Sequence, residues 1–392
     1  MAKKSGVWNL QQVRDKSLQS NWNYSNPVGP FTLWAWGNNS APASRNGYLG
    51  LNNITEYSSP VQLPGNTWNK ISARPYGTMA TKTDGTLWVW GSSRNDGGYG
   101  VLGLNAGVQE YSSPVQIPGT DWDRPYTYYY GGSVVKTNGE LWAWGYGQEG
   151  SIGVNNRTDY SSPVQVPGTN WSAEYGHFTY SSQVSVHAIK TDGTLWSWGI
   201  NRTYGQLGLN SVQDKSSPTQ VGSATNWSWV KGIGSGVLAV NTDGELWVWG
   251  NTNKGILGLN VGASTNISSP TQVPGTTWSQ IGGGSNVVIA LKTDGTLWGW
   301  GANNGALGLG DSPQRSSPVQ IGTDTDWIGV VDGYWGGRKS NGSIWAWGGN
   351  TYGRLGLNEP SNTKYMTPVQ IPGNYDYFVG GYGRAMFATR PI

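Results

Sequence analysis

Histidine is the side chain most often used for acid–base chemistry and zinc ligation, and the chain has only His177 and His187. His187 stands five residues before Asp192 on what reads as a strand, with no cluster of Cys, His, Asp or Glu around it. A zinc site needs such a cluster, and a general base needs a partner within reach. Zero Cys removes thiolate ligands, disulfides and thiol nucleophiles. Serine is abundant, but with so few histidines no Ser-His-Asp set can be assembled. Gly145-Tyr-Gly147-Gln-Glu-Gly150 fits a phosphate-binding glycine pattern after a strand, yet no helix follows to offer its N-terminus. Asp121-x-Asp123 and Asp324-x-Asp326 lack the rest of an oxygen-rich calcium loop. The expectation is a chain with no catalytic residue, no metal and no cofactor.

Binding chemistry is better represented. The 24 Trp and 61 Gly are far above ordinary usage, against four Phe. Exposed Trp would stack on sugars, which makes a carbohydrate-binding protein one alternative; buried Trp would be core. Irregularly placed aromatics are the candidate rim contacts: Tyr57, Tyr111 and Tyr160 ahead of Ser-Ser-Pro segments, and Tyr126, Tyr128, Tyr129, Tyr130, Tyr334, Trp335 and Trp229 elsewhere. Lys82, Lys136, Lys190, Lys292, Lys339 and Arg390 recur before a turn, with Asn241 in the remaining copy. They read as solvated charges, or as a basic rim for an acidic partner. A net charge of +3 is too small to suggest nucleic acid. No apolar run is long enough to cross a membrane, and the opening residues lack a signal-peptide core.

These residues are positioned by a repeat. Leu33-Trp34-Ala35-Trp36-Gly37 returns at Leu87–Gly91, Leu141–Gly145, Leu195–Gly199, Leu246–Gly250, Leu297–Gly301 and Ile344–Gly348, with spacings of 54, 54, 54, 51, 51 and 47 residues. Such a period signals a propeller, solenoid or array. The motif alternates as a strand does, with both Trp on one face. The variable residue between them is always small or slender, as close packing of sheets requires. We therefore expect Trp34, Trp36, Trp88, Trp90, Trp142, Trp144, Trp196, Trp198, Trp247, Trp249, Trp298, Trp300, Trp345 and Trp347 to be structural core.

After each motif come a Gly-rich turn, Leu-Gly-Leu-Asn, a variable loop and Ser-Ser-Pro-Val-Gln; then a Trp (Tyr375 in the last copy) opens an apolar strand. Asp84-Gly85, Asn138-Gly139, Asp192-Gly193, Asp243-Gly244, Asp294-Gly295 and Asn341-Gly342 suit two-residue hairpins, whose central residues take positive φ. Four short strands per unit and seven units predict an all-β, seven-bladed propeller of antiparallel blades over residues 31–392. The last strand, from Ala385, stops where a seventh hairpin would stand, and Phe31 begins where that turn would lead. The two strands should pair and close the ring.

The pattern Leu-Trp-x-Trp-Gly-x-Asn-x-x-Gly-x-Leu-Gly, best seen through Asn201–Gly208, resembles the regulator-of-chromosome-condensation repeat. The resemblance covers about residues 31–390 and implies a seven-bladed, circularly closed propeller. Its members include a guanine-nucleotide exchange factor on chromatin and binding scaffolds. A Gly-x-x-His common in that family is absent from most units, as Gly282–Leu291 illustrates, and no basic tail is present.

Residues 1–30 stand outside the repeat. Val7, Leu10 and Val13 lie at helical spacing, with Trp8, Leu18 and Trp22 nearby, which predicts an anchoring arm. Ser5-Gly-Val-Trp-Asn-Leu-Gln resembles the opening of tailed-phage virion proteins. That resemblance implies a non-enzymatic virion component, as fibre or decoration, held to other virion proteins by its arm. A host-surface glycan or protein would be its further contact. The alternative is a cytoplasmic interaction scaffold or exchange factor.

Overall fold

In the computed structural model, the described residues are 30–391, except 40–46, 74–76, 93–99, 107–109, 129, 175–177, 181–184, 203, 262–264, 285, 332–334, 360–362, 374, 376 and 382–384. Among them the chain is all-β, with two three-residue helical turns at Asn253–Gly255 and Thr351–Gly353. The proposed arm residues Val7, Trp8, Leu10, Val13, Leu18 and Trp22 lie outside the described residues.

Five four-stranded antiparallel sheets follow one plan. The second holds Phe178–Tyr180, Ser185–Ile189, Leu195–Gly199 and Lys215–Gln220, in sequence order across the sheet. An eight-stranded sheet contains two further runs of four. One is Trp68–Ala73, Gly77–Lys82, Leu87–Ser92 and Glu110–Ile117; the other is Tyr377–Gly381, Ala385–Pro391, Phe31–Gly37 and Tyr57–Gln62. The two runs join through the pair Phe31↔Trp68. Within the second run, Phe31–Gly37 pairs antiparallel with Ala385–Pro391, from Phe31↔Pro391 to Gly37↔Ala385.

Proline shapes the fourth strand of each unit. Trp34 faces Gln62 and Ala35 faces Val61, but Gly37 faces Tyr57, so Ser58-Ser59-Pro60 bulges off the ladder. Proline lacks the N–H that a ladder would use. The bulge frees the Ser58 carbonyl, which accepts from Asn358 N. The same bond runs from Asn52 to Ser112, Asn105 to Ser161, Asn155 to Ser216, Asn210 to Ser268 and Asn260 to Ser316. These Asn sit at positive φ, between 51° and 61°, a conformation Asn tolerates better than most residues.

The core lies between sheets. Leu33 and Ala35 pack in one cluster with Trp68 and Trp90 of the next unit; Leu246 and Val248 do the same with Trp278 and Trp300. Ile344 and Ala346 pack with Trp36, Tyr375 and Met386, which joins the last unit to the first motif. Among the described residues there are seven such clusters.

The two Trp of each motif share a face but not an environment. Trp36, Trp90, Trp144, Trp198, Trp249, Trp300 and Trp347 are buried. Trp34, Trp88, Trp142, Trp196, Trp247, Trp298 and Trp345 are half-buried. The expectation of fourteen equivalent core residues is corrected to seven core and seven boundary residues: the inner Trp reaches the neighbouring sheet, and the outer one lies near the sheet's end.

Candidate functional site

Each inner Trp is locked to the preceding unit. Trp90 Nε1 donates to Tyr48 O at 3.0 Å, Trp144 to Val101 O at 2.9 Å, Trp198 to Ser151 O at 2.9 Å and Trp249 to Gln206 O at 2.8 Å. Trp300 reaches Ile256 O at 2.9 Å and Trp347 reaches Ala306 O at 2.8 Å. Trp36 completes the set by donating to Arg354 O at 3.2 Å. The glycine of each Leu-Gly-Leu lies against the ring: a Cβ on Gly103, at φ +69°, would stand 2.7 Å from Trp144 Cε2. The motif's glycines and inner Trp therefore serve packing.

The outer Trp form a different layer. Trp88 Nε1 donates to Thr86 Oγ1, whose hydroxyl and N–H both bind Asp84 Oδ1. Trp196, Thr194 and Asp192 repeat this, as do Trp298, Thr296 and Asp294. The Thr hydroxyl, then the Thr N–H, holds the Asp84 and Asp192 carboxyls below the usual carboxylate range.

The repeated lysines do not stand free in solvent. Lys82 Nζ lies 5.0 Å from the Trp68 ring and 4.1 Å from the Trp88 ring. Lys136 sits between Trp122 and Trp142, Lys190 between Trp171 and Trp196, Lys292 between Trp278 and Trp298, and Lys339 between Trp327 and Trp345. This corrects the expectation of solvated charges: the ammonium is clamped by two indole faces, an attraction of about 0.5–1 kcal/mol at exposed sites. Sequence reasoning saw the lysine period and the Trp periods separately. Their spacing across the paired strands was the signal that would have joined them.

The other candidates resolve as follows. His187 is fully buried, its Nε2 is 3.2 Å from Ser185 Oγ, and burial pushes its pKa down to about 3. It is neutral and, among the described residues, has no acid partner; His177 lies outside the described residues. Asp121 pairs with Lys136 at 3.0 Å and Asp123 with Lys70. Asp324 and Asp326 both reach Lys339, at 2.6 and 3.0 Å. These carboxylates are occupied by ammonium groups, and among the described residues no cluster of three His, Cys, Asp or Glu could hold a metal. Gly147 N is bonded to Asp159 Oδ1 in an ordinary turn.

Of the rim aromatics, Tyr57, Tyr111 and Tyr160 are half-buried at the starts of their strands. Asn53 Nδ2 donates to Tyr57 OH and Asn156 Nδ2 to Tyr160 OH. Tyr128 is buried with its hydroxyl on Trp144 O, and Trp229 is buried with Nε1 on Ile281 O, so neither offers a contact surface. Tyr126 and Tyr130 are half-buried. Trp335 is half-buried and packs against Gly348. Tyr129 and Tyr334 lie outside the described residues.

Charge gathers instead in the loops before those tyrosine positions. Arg202 bridges Glu149 at 2.7 Å and Asp214 at 2.7 Å, and Arg157 approaches Asp214 at 3.5 Å. Glu149, then Asp214, raises the Arg202 pKa further. Arg315 pairs with Asp311 and Tyr365 with Glu359 at the corresponding places of later units. No helix among the described residues is long and apolar enough to cross a membrane.

Comparison with known proteins places the repeats. Residues 138–176, 192–237, 243–291 and 341–379 match the Regulator of chromosome condensation (RCC1) repeat. The ultraviolet-B receptor UVR8 of Arabidopsis thaliana is 28% identical over 309 residues, covering 74% of this chain and 64% of the receptor. The Regulator of chromosome condensation of Xenopus laevis is 27% identical over 276 residues, 64% of this chain and 63% of that protein. The chain thus spans a little under two-thirds of the length of these curated relatives. Human WBSCR16 superimposes with a TM-score of 0.77 at 19% identity, covering 92% of this chain and 99% of that one. Prp20p of Saccharomyces cerevisiae, described for its binding to Gsp1p and histones, gives 0.77 at 18% identity over 99% of this chain and 96% of its own. These superpositions show the fold. The relatives named here are cellular proteins and lend no support to the virion reading.

Proposed function

We propose that this RCC1-repeat chain is a seven-bladed, circularly closed propeller over residues 31–392 that works as an interaction scaffold for other proteins, with no reaction of its own. The seven inter-sheet clusters, the Trp36–Arg354 bond and the pairing of Phe31–Gly37 with Ala385–Pro391 support the closed ring. One observation carries the function. The inner Trp and the glycines against them are consumed in joining blade to blade, and the repeated outer Trp and lysines pack within a blade. An uneven charge pattern that does not repeat lies in the loops around Arg202, Arg157, Glu149 and Asp214. A rigid frame that displays an irregular polar surface is suited to reading another protein.

The partner class follows the relatives. The yeast protein is described with Gsp1p, histones and Kap60, so these three are the partners to test. The test measures binding of the full chain to Gsp1p, histones and Kap60, with release of a fluorescent guanine nucleotide from Gsp1p followed in parallel. Binding that is lost in Arg202→Glu, without faster release, supports a scaffold. Faster release would make the chain an exchange factor and end the claim that it has no reaction. Binding to none of the three would reject the transfer of partners from these relatives.

A further inference from the structure

One clamp has lost its cation and kept its shape. Five described pairs of indoles each hold a lysine ammonium of their own chain. The pair Trp227–Trp247 has Asn241 where the lysine would stand, and among the described residues no Lys or Arg lies over either ring. Yet its rings are 6.4 Å apart at 80°, against 6.1 Å and 82° for Trp122–Trp142 and 6.3 Å and 77° for both Trp171–Trp196 and Trp327–Trp345, which are filled. Asn241 does not reach between the rings as lysine does. Its Nδ2 donates to Glu245 Oε2 at 2.7 Å, and its Oδ1 accepts from Asp243 N and Glu245 N.

The local charge changes in the same direction. The clamps of Lys82, Lys190 and Lys292 each balance one ammonium with one hairpin carboxylate, Asp84, Asp192 or Asp294. Here the hairpin carries Asp243 and Glu245 and no ammonium. Glu245 Oε2 also accepts from Trp247 Nε1 at 3.3 Å, so the second carboxylate is held at the edge of the aromatic pair. Two indole faces attract a cation through their quadrupoles, and a fixed carboxylate adds a charge-assisted contact.

We propose that Trp227, Trp247 and Glu245 form a site for an aliphatic primary ammonium supplied from outside the chain, as on a lysine side chain of a partner protein. The other clamps are its precedent: the same indole pair accepts a lysine that arrives on the neighbouring strand.

The test is a titration of the full chain carrying 15N-labelled tryptophan, with the indole N–H signals of Trp227 and Trp247 assigned from single Trp→Phe variants. The probe is n-butylammonium chloride. The expected result is a saturable shift of those two signals in the millimolar range. n-Butanol and sodium chloride leave them in place, and Nα-acetyl-lysine methylamide moves them as the probe does. Asn241→Lys supplies an internal ammonium and abolishes the titration. Glu245→Gln keeps the indoles and weakens the response several-fold; it also serves if Asn241→Lys does not fold. An equal response to n-butanol, undiminished titration in both variants, or no saturable shift overturns the site. Tighter binding of tetramethylammonium than of n-butylammonium overturns the primary-ammonium assignment.

Discussion

Trp142 and Trp144 are two residues apart on one strand and face the same way, yet the truncation of Trp144 should cost about two to three times that of Trp142. Trp144 is buried, donates to Val101 O at 2.9 Å and lies on Gly103. Trp144→Ala removes a large buried side chain, for about 3–5 kcal/mol. It also orphans a carbonyl, for about 1 kcal/mol more. Trp142 is half-buried; its Nε1 donates to Glu140 Oε2 at 3.1 Å, and Lys136 Nζ lies 4.7 Å from its ring. Half the area of a Trp at about 25 cal/mol per Å² gives roughly 2–3 kcal/mol as an upper estimate. Realistic unfolded states lower this to about 2 kcal/mol. Urea unfolding of the full chain, followed by near-ultraviolet circular dichroism, gives both values from midpoint shifts at a common slope. Costs within about 1 kcal/mol of each other would refute the division into core and boundary Trp.

Other consequences are equally accessible. Gly103→Ala forces a Cβ onto Trp144 at positive φ and should destabilise by more than about 2 kcal/mol, whereas Gly342→Ala, with open space around it, should cost about 1 kcal/mol; thermal melts compare them. His187 has its folded pKa lowered to about 3 from an ordinary 6.5, so the unfolded chain binds the extra proton between those values. Its contribution is therefore full above pH 6.5 and lost as pH falls toward 3, with a ceiling of about 5 kcal/mol. Denaturation midpoints across that window should flatten in His187→Leu. Removing residues 385–392 deletes the partner of Phe31–Gly37 and should turn a monomer into aggregates on size-exclusion chromatography with light scattering. An unchanged monomer would contradict the role given to that pairing.

The strand plan could be read from the sequence because the units repeat the same local choices: alternation in Leu-Trp-x-Trp-Gly, a proline at the bulge and, in six of them, Asp-Gly or Asn-Gly at the turn. Those signals act over a few residues, and seven copies average out the noise of any one. The unequal burial of Trp142 and Trp144 was not legible, since both obey the same alternation and differ only in what the neighbouring sheet brings near. The Lys–Trp clamps were hidden for a related reason. Lys190 is 19 residues from Trp171 and six from Trp196, and only strand pairing sets them together. The rim charges around Arg202 belong to loops of no fixed pattern, so neither their partners nor the burial of Tyr128 could be inferred from type and spacing.

The bond from Trp36 Nε1 to Arg354 O spans 318 residues of chain but is equivalent to the six that span about 40–50. A linear stack of repeats can fray, because its terminal unit is held on one side. In the closed ring proposed above, each motif's inner Trp is given to one neighbour while its own turn receives the next, so no unit would be terminal. Opening any one unit of that ring would break two interfaces at once, and unzipping would have no favoured starting point. Unfolding should then be slow relative to an open array of the same repeats. Resistance to proteolysis would then fall with the loss of any single link, because that loss creates two ends.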